Sequence, residues 1–433
     1  MFRLSVCALL FVSTASVVNA QAVDELFPAG VAGYDQSAGV TVQTRRRTLY
    51  DTPGIRLPGV EIRPTVDQSL FYSTNPVGDG GKGSLISRTS GAATANSTWS
   101  RNSLSATVGV DNVHFFDRPI DYTDFNAGIA GSYTLSDHDI AAAFAHRSFH
   151  TLGTTIATTR STTPMLNQND TARLSYVFQA ARFSFTPEFT ATAYRFGNAS
   201  VSGTTIDQKF LNRDVVTAGL TTRYANFDGG SLIGVVRGIS SRFVNPQPGA
   251  SSLDSNSLVL LTGLDYQVQG PWRYRLLIGA EFRAFQSSAY GTQITPVLEG
   301  SVTWTPTGLT TVTGKATRTI NDPQSGGTNG YTLTMASLRI DHELKRNILL
   351  EGHAIGQVAE FLQGGTQISR NLGADVTWLL NRNARVSLSY DYTYQTGSGD
   401  RLRQFDNTGL SATTTRSGTF VQSLVGVALR FGL

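Results

Sequence analysis

Val425-Gly426-Val427-Ala428-Leu429-Arg430-Phe431-Gly432-Leu433 ends the sequence, and its pattern recurs through the rest of the chain. Odd positions carry Val, Val, Leu, Phe and Leu; even positions carry Gly, Ala, Arg and Gly. A period of two is the strand repeat, in which alternate side chains share a face. One face is apolar up to the final residue, whereas the ends of water-soluble domains usually fray in solvent. A strand that turns this face to lipid and closes a barrel accounts for the pattern.

Composition points the same way. Of 433 residues only 15% are charged, against roughly 25% in soluble domains. Gly is abundant at 43, and the mean hydropathy lies slightly below zero, which excludes a helical membrane protein. Residues 1–20 read as a secretory signal peptide. Arg3 is the basic start, Leu4 to Val12 the apolar centre, and Val18-Asn19-Ala20 the small-residue cleavage site. The single Cys, Cys7, lies inside it, so neither a disulfide framework nor a thiolate metal site is expected. The net charge of +4 gives no reason to expect a nucleic-acid partner. Beyond residue 20 no apolar run reaches the roughly 18 residues of a membrane helix. What remains is a secreted soluble β protein or an outer-membrane barrel.

Residues 21–58 contain Arg45-Arg46-Arg47 and a Pro/Gly-containing run from Asp51 to Pro58. We expect a periplasmic arm or a plug there, with the three arginines as a solvated surface. Residues 59–433 are expected to form the barrel. Val60, Ile62, Pro64, Val66, Leu70 and Tyr72 share one face; Glu61, Arg63, Thr65, Asp67 and Ser69 share the other. So many polar groups on one face do not suit a dry core, but they suit a wet lumen. The alternation recurs at 104–110, 125–135, 172–178, 183–189, 258–266, 274–283, 371–378 and 385–394. It blurs at 84–99, 231–244, 309–320 and 348–358, where a bulge could shift the parity.

Connections alternate in length. Short ones fall near 100–102, 136–138, 179–181, 225–230, 269–271, 305–308, 343–347 and 380–383. Longer ones fall near 75–83, 117–122, 150–170, 197–211, 245–254, 286–293, 321–330, 359–369 and 396–417. Short periplasmic turns alternating with long outer loops mark an all-β, up-and-down transmembrane barrel. The count is about 18 strands, with 16 as the alternative. Trp99, Trp272, Trp304 and Trp378 all stand beside short connections, as an interfacial girdle on the periplasmic side would require.

No catalytic constellation stands out. His146 and His150 have the i, i+4 spacing that binds zinc on a helix, but they read as loop histidines. Gly78 to Gly83 lacks the spacing of a phosphate loop and a following helix. There is no GxSxG. No enzyme, cofactor or metal is expected. Inward parity instead nominates a pore lining of Glu61, Arg63, Asp67, Arg173, Asp265, Arg275, Glu281, Arg283, Glu299, Lys315, Arg339, Asp341, Glu351, Asp375, Arg385, Asp391 and Arg430. Such charges also pair across strands for purely structural reasons. Their mixed signs suggest no strong ion preference. Arg430 is expected beside Glu61 and Arg63.

Residues 47–64, RTLYDTPGIRLPGVEIRP, resemble the start of the first strand in the putative β-barrel porin 2 family, a YDPxGIRxGxFxxxP pattern that Pro58 interrupts. Gly91-Ala92-Ala93, Trp99-Ser100-Arg101 and Asn212-Arg213-Asp214 are similar to that family as well. The resemblance implies an outer-membrane barrel, often linked to exopolysaccharide export loci, with no catalytic residue and no defined substrate. Phe431 and Leu433 resemble the C-terminal signal read by the outer-membrane barrel assembly machinery, which is therefore an expected partner.

The function expected is a porin-like channel in the bacterial outer membrane for passive passage of polar solutes. An alternative is an export conduit or scaffold for a surface exopolysaccharide, with the arm docking a periplasmic partner. An alternative of another class is a soluble secreted binding protein.

Overall fold

A computed structural model describes residues 40–433 apart from 137, 160, 202, 228, 248, 267–269, 327, 399–400, 406–410 and 416–418. The expected signal peptide, 1–20, and arm residues 21–39 lie outside the described residues. Eighteen strands run in chain order: β1 Val60–Ser73, β2 Ser84–Ser97, β3 Ser103–Phe115, β4 Tyr122–Leu135, β5 His138–Thr151, β6 Met165–Ala180, β7 Phe183–Phe196, β8 Arg213–Phe227, β9 Gly230–Phe243, β10 Ser255–Tyr266, β11 Trp272–Phe285, β12 Gln293–Thr307, β13 Thr310–Asn321, β14 Tyr331–Lys345, β15 Ile348–Phe361, β16 Thr366–Leu379, β17 Ala384–Ser398 and β18 Phe420–Gly432. Each pairs antiparallel with its sequence neighbours. β18 also pairs with β1, from Thr65↔Gly432 to Ser73↔Leu424. The sheet therefore closes, and the alternative of 16 strands is excluded.

Closure leaves no unpaired edge, which is the condition for backbone in hydrocarbon. The faces follow the alternation. Leu258, Leu260 and Leu264 on β10, Val425, Val427 and Phe431 on β18, and Leu433 just after it are exposed on the outside. Ser257 and Asp265 on β10 are buried inside. The blurred segments are strands without an internal bulge. The register irregularities lie at the short-turn ends instead, between Ala225 and Phe227, Trp304 and Thr307, and Glu343 and Lys345. What blurs β2 is an outer face of small residues, Gly91, Ala93 and Ala95, which weakens the hydropathy contrast but not the pleat.

The inner wall is not polar throughout. Ile233, Val235, Val259, Leu261, Leu277 and Val297 form a buried apolar patch over β9 to β12. Gly263 and Gly279 sit diagonally on β10 and β11 within it, opposite Leu277 and Leu261. A Cβ on either would overlap the facing strand's backbone, at the carbonyl of Leu276 or of Leu260. Only glycine permits so close an approach.

The connections expected to be short all lie at the end that carries Leu433, and those expected to be long at the other. Two long connections differ from expectation. The span expected at 359–369 shrinks to 362–365, because β15 and β16 extend into it. That expected at 396–417 contains a hairpin, Arg401–Phe405 with Ser411–Thr415. His146 and His150 lie within β5 rather than in a loop, bound to Asp170 and Asp124 at 2.7 Å each.

Candidate functional site

The lumen is narrowed from both ends. At the periplasmic end the arm enters the mouth. Thr41 and Thr44 cap a turn, with Thr41 N–H on Thr44 Oγ1 at 2.8 Å and Thr44 N–H on Thr41 Oγ1 at 3.1 Å. The turn presents Val42, which is 1% exposed, to Leu349 and Leu379 with Tyr50 beside it. Val42 N–H donates to Thr311 Oγ1 at 3.0 Å, and Gln43 Nε2 to Asp341 at 2.6 Å. Arg47 and Arg45 reach the inward carboxylate of Glu343 at 2.8 and 3.6 Å. Arg45 and Arg47 are therefore anchors rather than a solvated surface, because a carboxylate on the wall needs a cation; Arg46 stays exposed. The arm then joins β1 through a tight turn. Pro58 fixes its own φ, and Gly59 takes φ +82°, so that Ile55–Leu57 pairs back onto β1.

Between arm and wall lies a cavity of about 450 Å³. Eight arginines and four carboxylates line it, so this mouth is positive despite the near-balance of charge over the chain. Its carboxylates are engaged. Glu61 holds Arg63 at 3.1 Å and Arg56 at 3.7 Å, and Asp111 holds Arg88 at 2.8 Å. Asp51 accepts the Arg47 N–H at 2.5 Å. Asp67 holds Arg430. Arg430 thus pairs with Asp67 rather than standing beside Glu61 and Arg63, because register places Asp67 opposite it.

In the outer half two loops fold inward. Residues 152–164, between β5 and β6, cross to β14, β15 and β16, half-way round the barrel. Ile156 and Ala157 pack into Tyr331, Leu333, Ala359 and Phe361, and Ala157 N–H donates to Gln367 Oε1 at 2.8 Å. Residues 322–330, between β13 and β14, turn towards β8 and β11. Asp322 binds Arg283 at 2.9 Å and Arg213 at 3.2 Å, and accepts the Ser241 hydroxyl at 2.8 Å. Burial pushes the Asp322 carboxyl up, but Arg283, Arg213 and the Ser241 hydroxyl together hold it below the usual carboxylate range. The two loops meet at a Thr158↔Gln324 bridge.

The remaining nominated residues all have inward parity. Arg173 pairs with Glu188 at 3.1 Å, Asp265 with Arg223 and, at 3.2 Å, with Arg275. Glu281 pairs with Arg283 at 3.3 Å. Glu299 pairs with Arg237 at 2.6 Å across two intervening strands. Arg339 holds Asp341 at 3.2 Å and Glu351 at 2.5 Å, and His353 holds Asp391 at 3.0 Å. Lys315, Asp375 and Arg385 have no ion-pair partner among the described residues. Arg213, Asp322 and the arm's arginines escaped nomination because they stand at strand ends or in connections, where alternation is silent. The four tryptophans are exposed near the short turns. Trp272 and Trp304 lie opposite each other and stack at 5.1 Å, as aromatic pairs at a membrane interface do.

The profile of the family described as "Putative beta-barrel porin 2" matches residues 47–417. The chain belongs to this family. With its closed barrel and apolar outer belt, it is a porin-type protein of the bacterial outer membrane, which excludes the soluble alternative. No curated protein matches the sequence. Solved structures with a similar architecture include OccK2 (OpdF) of Pseudomonas aeruginosa in complex with glucuronate, at 12% identity and TM-score 0.46 over 87% of this chain and 99% of that one. OpdK of P. aeruginosa with vanillate matches at 10% identity and TM-score 0.45 over 87% and 100%. OccAB3 of Acinetobacter baumannii matches at 10% identity and TM-score 0.44 over 87% and 100%. The likeness concerns the barrel alone.

Proposed function

We propose that this barrel is a passive channel for small polar solutes. The observation that carries the reading is the lumen itself. Charged side chains face inward on strands all round the barrel, and a 450 Å³ charged cavity sits at one mouth. Solute passage needs no covalent chemistry. It needs a wall that replaces some of the solute's hydration and leaves it free to go on. The narrowing by the arm and by two inward loops favours small solutes over a polymer strand. Swelling of liposomes carrying the purified full chain tests this. Mono- and disaccharides should enter at rates that fall steeply with size. Equal rates with and without the protein would refute it.

A further inference from the structure

Four carboxylates meet on the inner face of β14 to β17. Asp341 lies directly opposite Glu351, and Glu351 directly opposite Asp375. One step along the same face, His353 is opposite Gly373, and Gly373 opposite Asp391. Like charges directly opposite each other destabilise a sheet, so this row requires cations. The wall supplies one arginine. Arg339 binds Asp341 and one oxygen of Glu351, and the arm's Gln43 adds a hydrogen bond to Asp341. Asp375 has no hydrogen-bond or ion-pair partner among the described residues.

His353 lies between Asp391 and Glu351 in this row. Its Nε2 faces two acceptors, Asp391 Oδ1 at 3.0 Å and Asn371 Oδ1 at 3.1 Å, so Nε2 carries the proton. Nδ1, on the other side of the ring, faces Glu351 Oε1 at 3.8 Å. A carboxylate on one ring nitrogen that fixes the other as a donor is the usual support of a metal-binding histidine. Gly373 makes this possible. The ring reaches across β16 where a Cβ would collide with it and with Asp391.

We propose that Glu351, His353 and Asp375 bind one divalent transition-metal cation on the lumen wall. Their ligand atoms lie within 4.8 Å of one another, and small rotations of the side chains bring them to bonding distances of about 2.0–2.2 Å. One imidazole and two carboxylates suit zinc-like ions better than calcium or magnesium, which favour oxygen ligands alone. The bound ion bridges β15 and β16 and offsets most of the charge of the acidic row.

The test is calorimetric titration of the detergent-folded full chain with Zn²⁺, together with its unfolding temperature with and without Zn²⁺. The expected result is one site per chain and a Zn²⁺-dependent rise in unfolding temperature. Asp375→Asn should weaken the site at least tenfold, and His353→Ala should abolish it. His146→Ala, on an outward position of β5, should bind as the wild type does. Heat-modifiable gel mobility confirms that each variant is folded, and Asp375→Asn removes a charge without removing volume. Absence of Zn²⁺ binding to the wild type, or binding unchanged in both His353→Ala and Asp375→Asn, would overturn the proposal. Either result leaves solute passage untouched, since that is read by liposome swelling.

Discussion

Arg430 on β18 and Asp67 on β1 form an ion pair across the seam that closes the barrel. Arg430 is also directly opposite Arg385 on β17, so Asp67 is the counter-charge for a pair of like charges. Asp67→Asn leaves both arginines unbalanced and should destabilise the barrel by about 1–3 kcal/mol. Arg385→Gln removes the repulsion and should cost less. The temperature at which heat-modifiable mobility is lost checks the order.

Glu343 ties the arm to the wall through Arg47 and Arg45. Glu343→Gln removes that tie, while Val42 keeps its apolar contacts. Limited proteolysis should then cut the arm several times faster in the variant than in the wild type. Added salt should narrow the difference, because the wild-type tie is partly electrostatic.

Asp322 fixes one of the inward loops, and its titration has a definite sign. Its folded-state pKa lies below the ordinary 3.8. Its contribution is therefore fully present above that ordinary value and is lost as pH falls through the lower folded-state value. Acidification below about pH 4 should loosen residues 322–330, seen as increased current noise. Asp322→Asn should show the same noise at neutral pH.

Gly263 and Gly279 leave no room for a Cβ against the facing strand in the apolar inner patch. Gly263→Ala should cost more than 2 kcal/mol, in the range of overpacking, or block assembly outright. Gly91→Ala, where a Cβ meets nothing within 4 Å, should be tolerated. The fraction of folded, heat-modifiable protein separates the two.

Much of the fold is legible in the sequence because the barrel imposes one rule on every strand. Leu258, Leu260 and Leu264 alternate with Ser257, Gly263 and Asp265 because one side meets lipid and the other the lumen. The rule fades where outward residues are small, as at Gly91 and Ala93. It predicts parity but not register, which is why Asp67 rather than Glu61 partners Arg430. It says nothing of the inward loops. Ile156 and Ala157 in a threonine-rich stretch are a faint signal of burial, and Arg213 and Asp322 are joined by folding alone. The shape that these loops and the arm give the lumen is encoded by no local pattern.

Single-channel recording in planar bilayers, comparing the full chain with a variant lacking residues 41–54, tests the central claim most directly. A solute channel narrowed by its own arm should give discrete conductance steps that become larger when the arm is removed. Silence from both proteins, each folded by gel mobility, would contradict it.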